Sequence, residues 1–259
     1  MNILLSGIGG HMGREVVKLA KEGYRGASLA CGVDPYSSEE CGVTVYKSFA
    51  DITDAKIDCI IDFSHHLATE ELISFAKARD LPVVVATTGH TENEISIIKN
   101  AAERIPIFYS GNMSLGIALL VELARTVAAA MPEAEIEIVE RHHNRKLDAP
   151  SGTALMLADA ILEVRPDAFT NLGRSGQGKR EKNEIGIHSI RMGNIVGEHE
   201  VIIGTPNQTI TLKHEAHDRA LFAEGALAAA EFLIGCQKGL YDMKSIVGDK
   251  SCDNIIIAN

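Results

Sequence analysis

Basic residues are in the minority: 25 Lys and Arg stand against 35 Asp and Glu, a formal net charge of −10. A chain of that sign repels nucleic acid and anionic membranes as a whole, and no basic DNA-binding module is visible in it. A small anion would need a local basic pocket. Cysteine is scarce too. Cys31, Cys41, Cys59, Cys236 and Cys252 are odd in number and widely spaced, with no C-x-x-C pair. That spacing excludes a disulfide framework or a zinc site and predicts reduced, mostly buried thiols with no metal. Long apolar runs are also missing. The most apolar helix candidate, 114–130, is interrupted by Glu122 and Arg125, too short and too charged to cross a bilayer. No basic segment precedes the apolar run Ile3-Leu4-Leu5, so no signal peptide is expected, and the expected location is cytoplasmic. There is no internal repeat.

What is present is ordinary globular material: 259 residues, 46% apolar and 23% charged, enough for one large domain or two modest ones with a sizeable core. Short apolar runs at 2–6, 27–33, 57–62, 82–87 and 105–109 read as strands. Between several of them lie helix-period stretches, such as 67–79 and 91–104. Continuous apolar strands separated by helices predict a parallel sheet covered on both faces, a Rossmann-like doubly wound α/β domain. After residue 112 the pattern changes. An apolar helix runs to Ala130, the 133–140 stretch alternates, and helix 152–163 carries Ala154, Leu155, Ala158, Ile161 and Leu162 on one face. Strand candidates at 185–192, 196–203 and 207–214 follow with no helix between them. They predict an open, mostly antiparallel sheet in a second, α+β domain, with a bare face suited to a partner subunit. Helix 220–235 and the GLYDM turn at 239–243 suit either domain, and 173–179 reads as a flexible loop.

The first strand ends in Gly7-Ile8-Gly9-Gly10-His11-Met12-Gly13, with a helix opening near His11. Glycines at 7, 10 and 13 form G-x-x-G-x-x-G, a variant of the dinucleotide fingerprint. A tight turn and bare backbone let a pyrophosphate approach the helix start, where N–H groups and the dipole favour negative charge. The second strand ends in Asp34, positioned to accept hydrogen bonds from an adenosine ribose. Two later loops, Ala86-Thr87-Thr88 and Ser110-Gly111-Asn112-Met113, follow strands at the edge where ligands lie in such sheets, and are candidates for the nicotinamide half.

Residues 140–155 read ERHHNRKLDAPSGTAL. Pro150 stops any helix from running through 142–149, so His142 to Lys146 form a strand end and loop. Ser151 is a natural N-cap for the following helix. The N–H groups of Gly152 and Thr153 point out of the helix start and can hold a carboxylate, with Lys146 as a mobile cation on the same loop. The combination suits a small anionic substrate whose reaction needs a nearby proton donor, and histidine is the usual one near neutral pH.

This string resembles the signature E-x-H-H-x-x-K-x-D-A-P-S-G-T-A of the 4-hydroxy-tetrahydrodipicolinate (dihydrodipicolinate) reductases. The resemblance extends to GIGGHMG, ATTG, SGNMSLG, RMGNIVGEH, HEAHDR and GLYDM, over essentially the whole chain. It implies NAD(P)H-dependent reduction of a small dicarboxylate in lysine and diaminopimelate biosynthesis, by a homotetramer. It implies a dinucleotide-binding domain of residues 1–112 and 219–259 and a substrate-binding, oligomerising domain of 113–218. His142 then corresponds to the proton donor and Lys146 to the catalytic lysine. His143, Lys146, Ser151, Gly152, Thr153 and Arg219 match substrate-binding positions. Two departures stand out. Asp34 is followed by Pro35, where members preferring NADPH often carry arginine, so NADH is expected to serve at least as well as NADPH. In Asp62-Phe63-Ser64-His65 the proline expected two residues after the serine is absent. A related amino-acid or amine dehydrogenase should lack the His-His-x-x-Lys string and the Ser-Gly-Thr turn together. A non-catalytic NAD-sensing regulator would want a basic module.

Overall fold

Seven strands run parallel in the first sheet, and the chain's continuous apolar runs account for most of them. The computed structural model describes residues 1–36 and 42–248, so the expectations for Cys41 and Cys252 lie outside the described residues. The strands are β1 (Asn2–Ser6), β2 (Ser28–Val33), β3 (Val45–Tyr46), β4 (Cys59–Asp62), β5 (Val83–Val85), β6 (Pro106–Tyr109) and, far along the chain, β12 (Gly239–Tyr241). Their order is β12-β6-β5-β4-β1-β2-β3, with every neighbour parallel. The order reverses between β1 and β4, the switch point at which doubly wound sheets bind ligands. Helices α1 (His11–Lys21), α2 (Thr69–Ala78), α3 (Glu92–Ala101) and α6 (Ala220–Ile234) belong to this unit, with α7 (Met243–Val247). It comprises Met1–Ser114 together with the chain from Ala220 onward. Helix α6 therefore joins the first unit, and GLYDM is not a bare turn: its Gly239-Leu240-Tyr241 pairs with β6 as an edge strand. Cys31 and Cys59 are buried in this unit and Cys236 is half-buried.

The second unit, Leu115–Arg219, holds α4 (Leu115–Ala130), α5 (Gly152–Val164) and a five-stranded sheet. Its strands are β7 (Glu135–His142), β8 (Phe169–Asn171), β9 (Glu184–Arg191), β10 (Gly197–Thr205) and β11 (Gln208–Ala216), in the order β11-β10-β7-β9-β8. The sheet is mixed rather than mostly antiparallel. β10 pairs antiparallel with β7 and β11, but β9 runs parallel to both β7 and β8. Helix α5 and the connection after it carry the chain back across one face, which parallel pairing of β7 with β9 requires. The short β8, absent from the sequence reading, pairs with β9 over three residues. On α5 the buried residues are Ala154, Leu157, Ala158, Ala160 and Ile161, while Leu155 is exposed. The spacing 154, 157, 158, 161 follows the helical period, and Leu157 takes the place expected for Leu155. These side chains share a core with Ile136, Ile138, Ile185, Ile187, Val201 and Ile203 of the sheet.

Candidate active site

At the β1–α1 turn the glycines are required by contact, not only by flexibility. Gly7 has φ +77, and a Cβ there would lie 2.3 Å from the Phe63 carbonyl oxygen. A Cβ on Gly13 would lie 2.2 Å from the Gly7 oxygen. The Gly10 N–H donates to that same Gly7 oxygen at 3.0 Å, closing the turn. Gly10 is the N-cap of α1 with no side-chain cap, and the first turn carries no acidic residue. Uncapped N–H groups at a helix start with no competing carboxylate fit a dinucleotide phosphate. Ile8 is fully buried and offers no surface to a ligand, unlike the exposed residues of the turn. Asp34, also buried, accepts the N–H of Gly9 at 3.0 Å and of Tyr36 at 2.9 Å. Standing just after β2, it ties the end of that strand to the turn.

A cleft of about 390 Å³ in the same unit gathers His11, Met12, Ala86, Thr87, Thr88, Gly111, Asn112 and Met113. Phe63, Ser64 and Phe222 complete the wall and were missed by the sequence reading. Phe222 comes from α6, 109 positions after Met113, so no local pattern announces it (222 − 113 = 109). Gly225 of that helix lets it approach: a Cβ there would sit 1.7 Å from the Met113 oxygen. Ser110 lies outside the cleft wall and instead donates its hydroxyl to the Asn112 carbonyl at 2.8 Å, shaping the loop. Beneath the cleft, Asp62 is buried and accepts the Thr87 and Ser64 hydroxyls, each at 2.6 Å. Where proline was expected, His66 stands instead. Its Nδ1 lies 2.9 Å from Glu94, whose other oxygen accepts the Thr91 N–H in the capping box of α3.

In the second unit the buried face of β7 changes character along its length. Ile136 and Ile138 point into the core, and the next two residues on that face are Glu140 and His142. Register supplies their neighbours. β9 places Arg191 beside His142, and β10 places His199 beside Glu140. Glu140 is fully buried and accepts His142 Nδ1 at 2.6 Å, two Arg191 nitrogens at 2.7 and 2.8 Å, and the Ser151 N–H at 3.1 Å. Burial by itself would raise the Glu140 carboxyl. Hydrogen bonds from Arg191, His142, Ser189 and the Ser151 N–H outweigh it and hold the group at about 2. An ionised Glu140 makes His142 Nδ1 a donor, so Nε2 is the ring atom left for a substrate. Gly197 faces that atom: a Cβ there would come within 3.1 Å of Nε2.

Ser151 caps α5 as expected, its Oγ accepting the Ala154 N–H at 3.3 Å, and it also lies 3.1 Å from His199 Nε2. The first turn of α5, with exposed Gly152 and half-buried Thr153, has no acidic residue. The Lys146 ammonium, expected as a mobile cation, pairs here with the exposed Asp148 at 2.8 Å. Both ends of this pair sit on one short loop, a contact that spacing cannot show. His143 is anchored through its backbone N–H to the Ile195 carbonyl at 2.8 Å. Burial, then the charges of Arg145 and Arg219, push its imidazole below the ordinary value. That influence places Arg219 in the same basic neighbourhood. The sequence alone assigns no role to Glu140, Arg191 and His199. Their signal lay inside ERHH and RMGNIVGEH, but only pairing across the sheet reveals their partners.

Residues 1–113 match the family model for the dihydrodipicolinate reductase N-terminus, and residues 116–247 match that for the C-terminus. The chain belongs to the dihydrodipicolinate reductase family. A 4-hydroxy-tetrahydrodipicolinate reductase of Caldanaerobacter subterraneus subsp. tengcongensis is 46% identical over 249 residues, covering 95% of this chain and 98% of that one. One from Clostridium novyi is 41% identical, covering 96% and 99%. The dipicolinate-bound dihydrodipicolinate reductase structure from Paenisporosarcina sp. TG-14 superposes with a TM-score of 0.80 at 24% identity, over 95% of this chain and 99% of that one, which shows the shared fold. The C-terminal match of this dihydrodipicolinate reductase family member runs through α6, β12 and α7, which fold with the first unit.

Proposed function

We infer that this chain is an NAD(P)H-dependent oxidoreductase that reduces 4-hydroxy-tetrahydrodipicolinate in the diaminopimelate route to lysine. The observation that carries the reading is the convergence of His142, Glu140 and Arg191 on the Ser151-Gly152-Thr153 helix start, in a chain of this family. The substrate loses water to give a conjugated imine–alkene, which then takes up one hydride and one proton. Bound NADH or NADPH supplies the hydride to the ring carbon at the end of that system. As charge moves towards the ring nitrogen, His142 gives the proton from Nε2, held in aim by Glu140 on Nδ1. Lys146 stabilises the developing charge and takes one substrate carboxylate, exchanging it for Asp148. The N–H groups of Gly152 and Thr153 and the Ser151 hydroxyl take the other. Arg219 adds positive surroundings that favour a dianion, and His143, its imidazole pushed towards the neutral form, can offer a hydrogen bond. The unit Leu115–Arg219 thus serves the substrate, and Met1–Ser114 with the chain from Ala220 onward the cofactor, through the glycine turn 7–13, Asp34 and the two cleft loops; the boundaries lie one to two residues beyond those expected from the sequence.

NADH is proposed to serve at least as well as NADPH. A 2′-phosphate beside Asp34 would meet a like charge, and Pro35 offers no cation to offset it. Asp34→Ala with Pro35→Arg should shift the ratio of kcat/KM values towards NADPH. A wild-type enzyme favouring NADPH more than about tenfold, roughly 1.4 kcal/mol, would reject the assignment. We further propose a cytoplasmic homotetramer. The decisive assay is substrate-dependent oxidation of NADH, inhibited competitively by pyridine-2,6-dicarboxylate. Purified protein that oxidises no NADH or NADPH with this substrate would overturn the reading.

A further inference from the structure

His199 has no part in the chemistry described so far, yet it is among the few buried histidines and touches the proposed carboxylate anchor. The residue is 4% exposed, and its ring lies edge-on to His142 with centroids 5.1 Å apart and puts Nε2 3.1 Å from Ser151 Oγ. Burial, and next the neighbouring His142, push its imidazole down to about 4, so it is neutral at physiological pH. A neutral imidazole carries one N–H, and the 3.1 Å contact admits two arrangements. If the proton is on Nδ1, the Ser151 hydroxyl donates to a bare Nε2. If it is on Nε2, the ring donates to Ser151 Oγ.

One observation and one requirement of the anchor role separate them. The Nδ1 atom is buried without a hydrogen-bond partner among the described residues, and an orphaned N–H is rarer and more costly than an unmatched lone pair. Ser151 gives the second. Its Oγ already accepts the Ala154 N–H, and an Nε2–H occupies the remaining lone pair. The hydroxyl proton is then the only valence left, and it points away from both donors. With the proton on Nδ1, that hydroxyl would be spent on His199, and the open lone pair would repel a carboxylate.

We propose that His199 is a positioning residue: through Nε2–H it fixes the Ser151 hydroxyl as a donor to a substrate carboxylate. The proposal rests on the reading of Ser151 as a carboxylate anchor. It predicts an effect on binding rather than on the chemical step. His199→Phe keeps the ring but removes the donor. It should raise KM and weaken pyridine-2,6-dicarboxylate binding, measured with NADH present, by about tenfold, or roughly 1.4 kcal/mol. It should leave kcat within about threefold. His199→Gln returns an N–H near the Nε2 position and should restore affinity to within about threefold of wild type. In a Ser151→Ala background, adding His199→Phe should change nothing further. Nitrogen-15 spectra of the wild-type enzyme with labelled histidine should place the His199 proton on Nε2, a readout that stands even where the Phe variant does not fold. A proton on Nδ1, or losses that add in the double variant, would overturn the proposal. Full-strength binding by Ser151→Ala would remove the anchor reading as well. A weakened Ser151→Ala beside an unaffected His199→Phe would sink the His199 role alone.

Discussion

Glu140 meets four donor groups within hydrogen-bonding distance and has no access to water, so its charge belongs to the fold and to the site at once. The residues it holds carry the sharpest expectations. His142→Gln keeps a hydrogen-bonding side chain but cannot deliver a proton. It should lower kcat by roughly 10²-fold or more while KM changes little, because a proton donor acts mainly in the transition state. Steady-state kinetics check this, and near-normal kcat would remove His142 from the role. Lys146→Ala should lower kcat and raise KM together, since the ammonium is assigned both the developing charge and a carboxylate. Unchanged affinity of this variant for pyridine-2,6-dicarboxylate would place the lysine outside the binding site.

Along β7 the inward face runs Ile136, Ile138, Glu140, His142, so a core strand becomes a site strand within four alternate positions. That arrangement makes the second unit sensitive to acid in two steps. His199 sits below its ordinary value in the fold, at about 4, so between an unfolded value near 6.5 and about 4 the unfolded chain binds more protons. Its contribution is full above that window and is lost as pH falls through it. Glu140 is depressed to about 2, so its contribution is present above an ordinary carboxylate value of about 4.3 and is lost between there and about 2. Urea unfolding should show stability falling from pH 6.5 downwards and again below about 4.3. His199→Gln should flatten the upper part, and an unaltered upper slope would show that His199 does not carry it.

At the scale of the whole molecule, the two sheets solve burial differently. The seven-stranded sheet has apolar residues on both faces, and Ile3, Leu4, Leu5, Ile60 and Ile61 are all fully buried. In the five-stranded sheet, α4 and α5 cover the face of Ile136, Ile138, Val201 and Ile203. The opposite face carries Val139 and Ile202 half-buried among charged pairs such as Arg141 with Glu198 and Glu200. A face of this kind is the one proposed to meet other copies, through residues 185–214. Light scattering at micromolar concentration should give four times the chain mass, and a monomeric mass would reject the tetramer.

The sequence by itself determined the dinucleotide turn, the parallel sheet, the Ser151 cap and the identity of the central string. Each of these is written locally: glycines where a Cβ has no room, continuous apolar runs, and a capping residue just after a proline. Only tertiary structure decided the rest, because its partners are far apart in the chain. Glu140 and Arg191 are 51 positions apart, Ser151 and His199 are 48 apart, and Phe222 reaches the cleft from a distant helix. Parallel pairing of β7 with β9 was likewise invisible, since alternation in a strand fixes which face is buried but not the direction of its neighbour. Register across the sheet converted scattered charged residues into one site. A chain's local pattern specifies what each element is, and the free energy of packing them chooses which side chains meet.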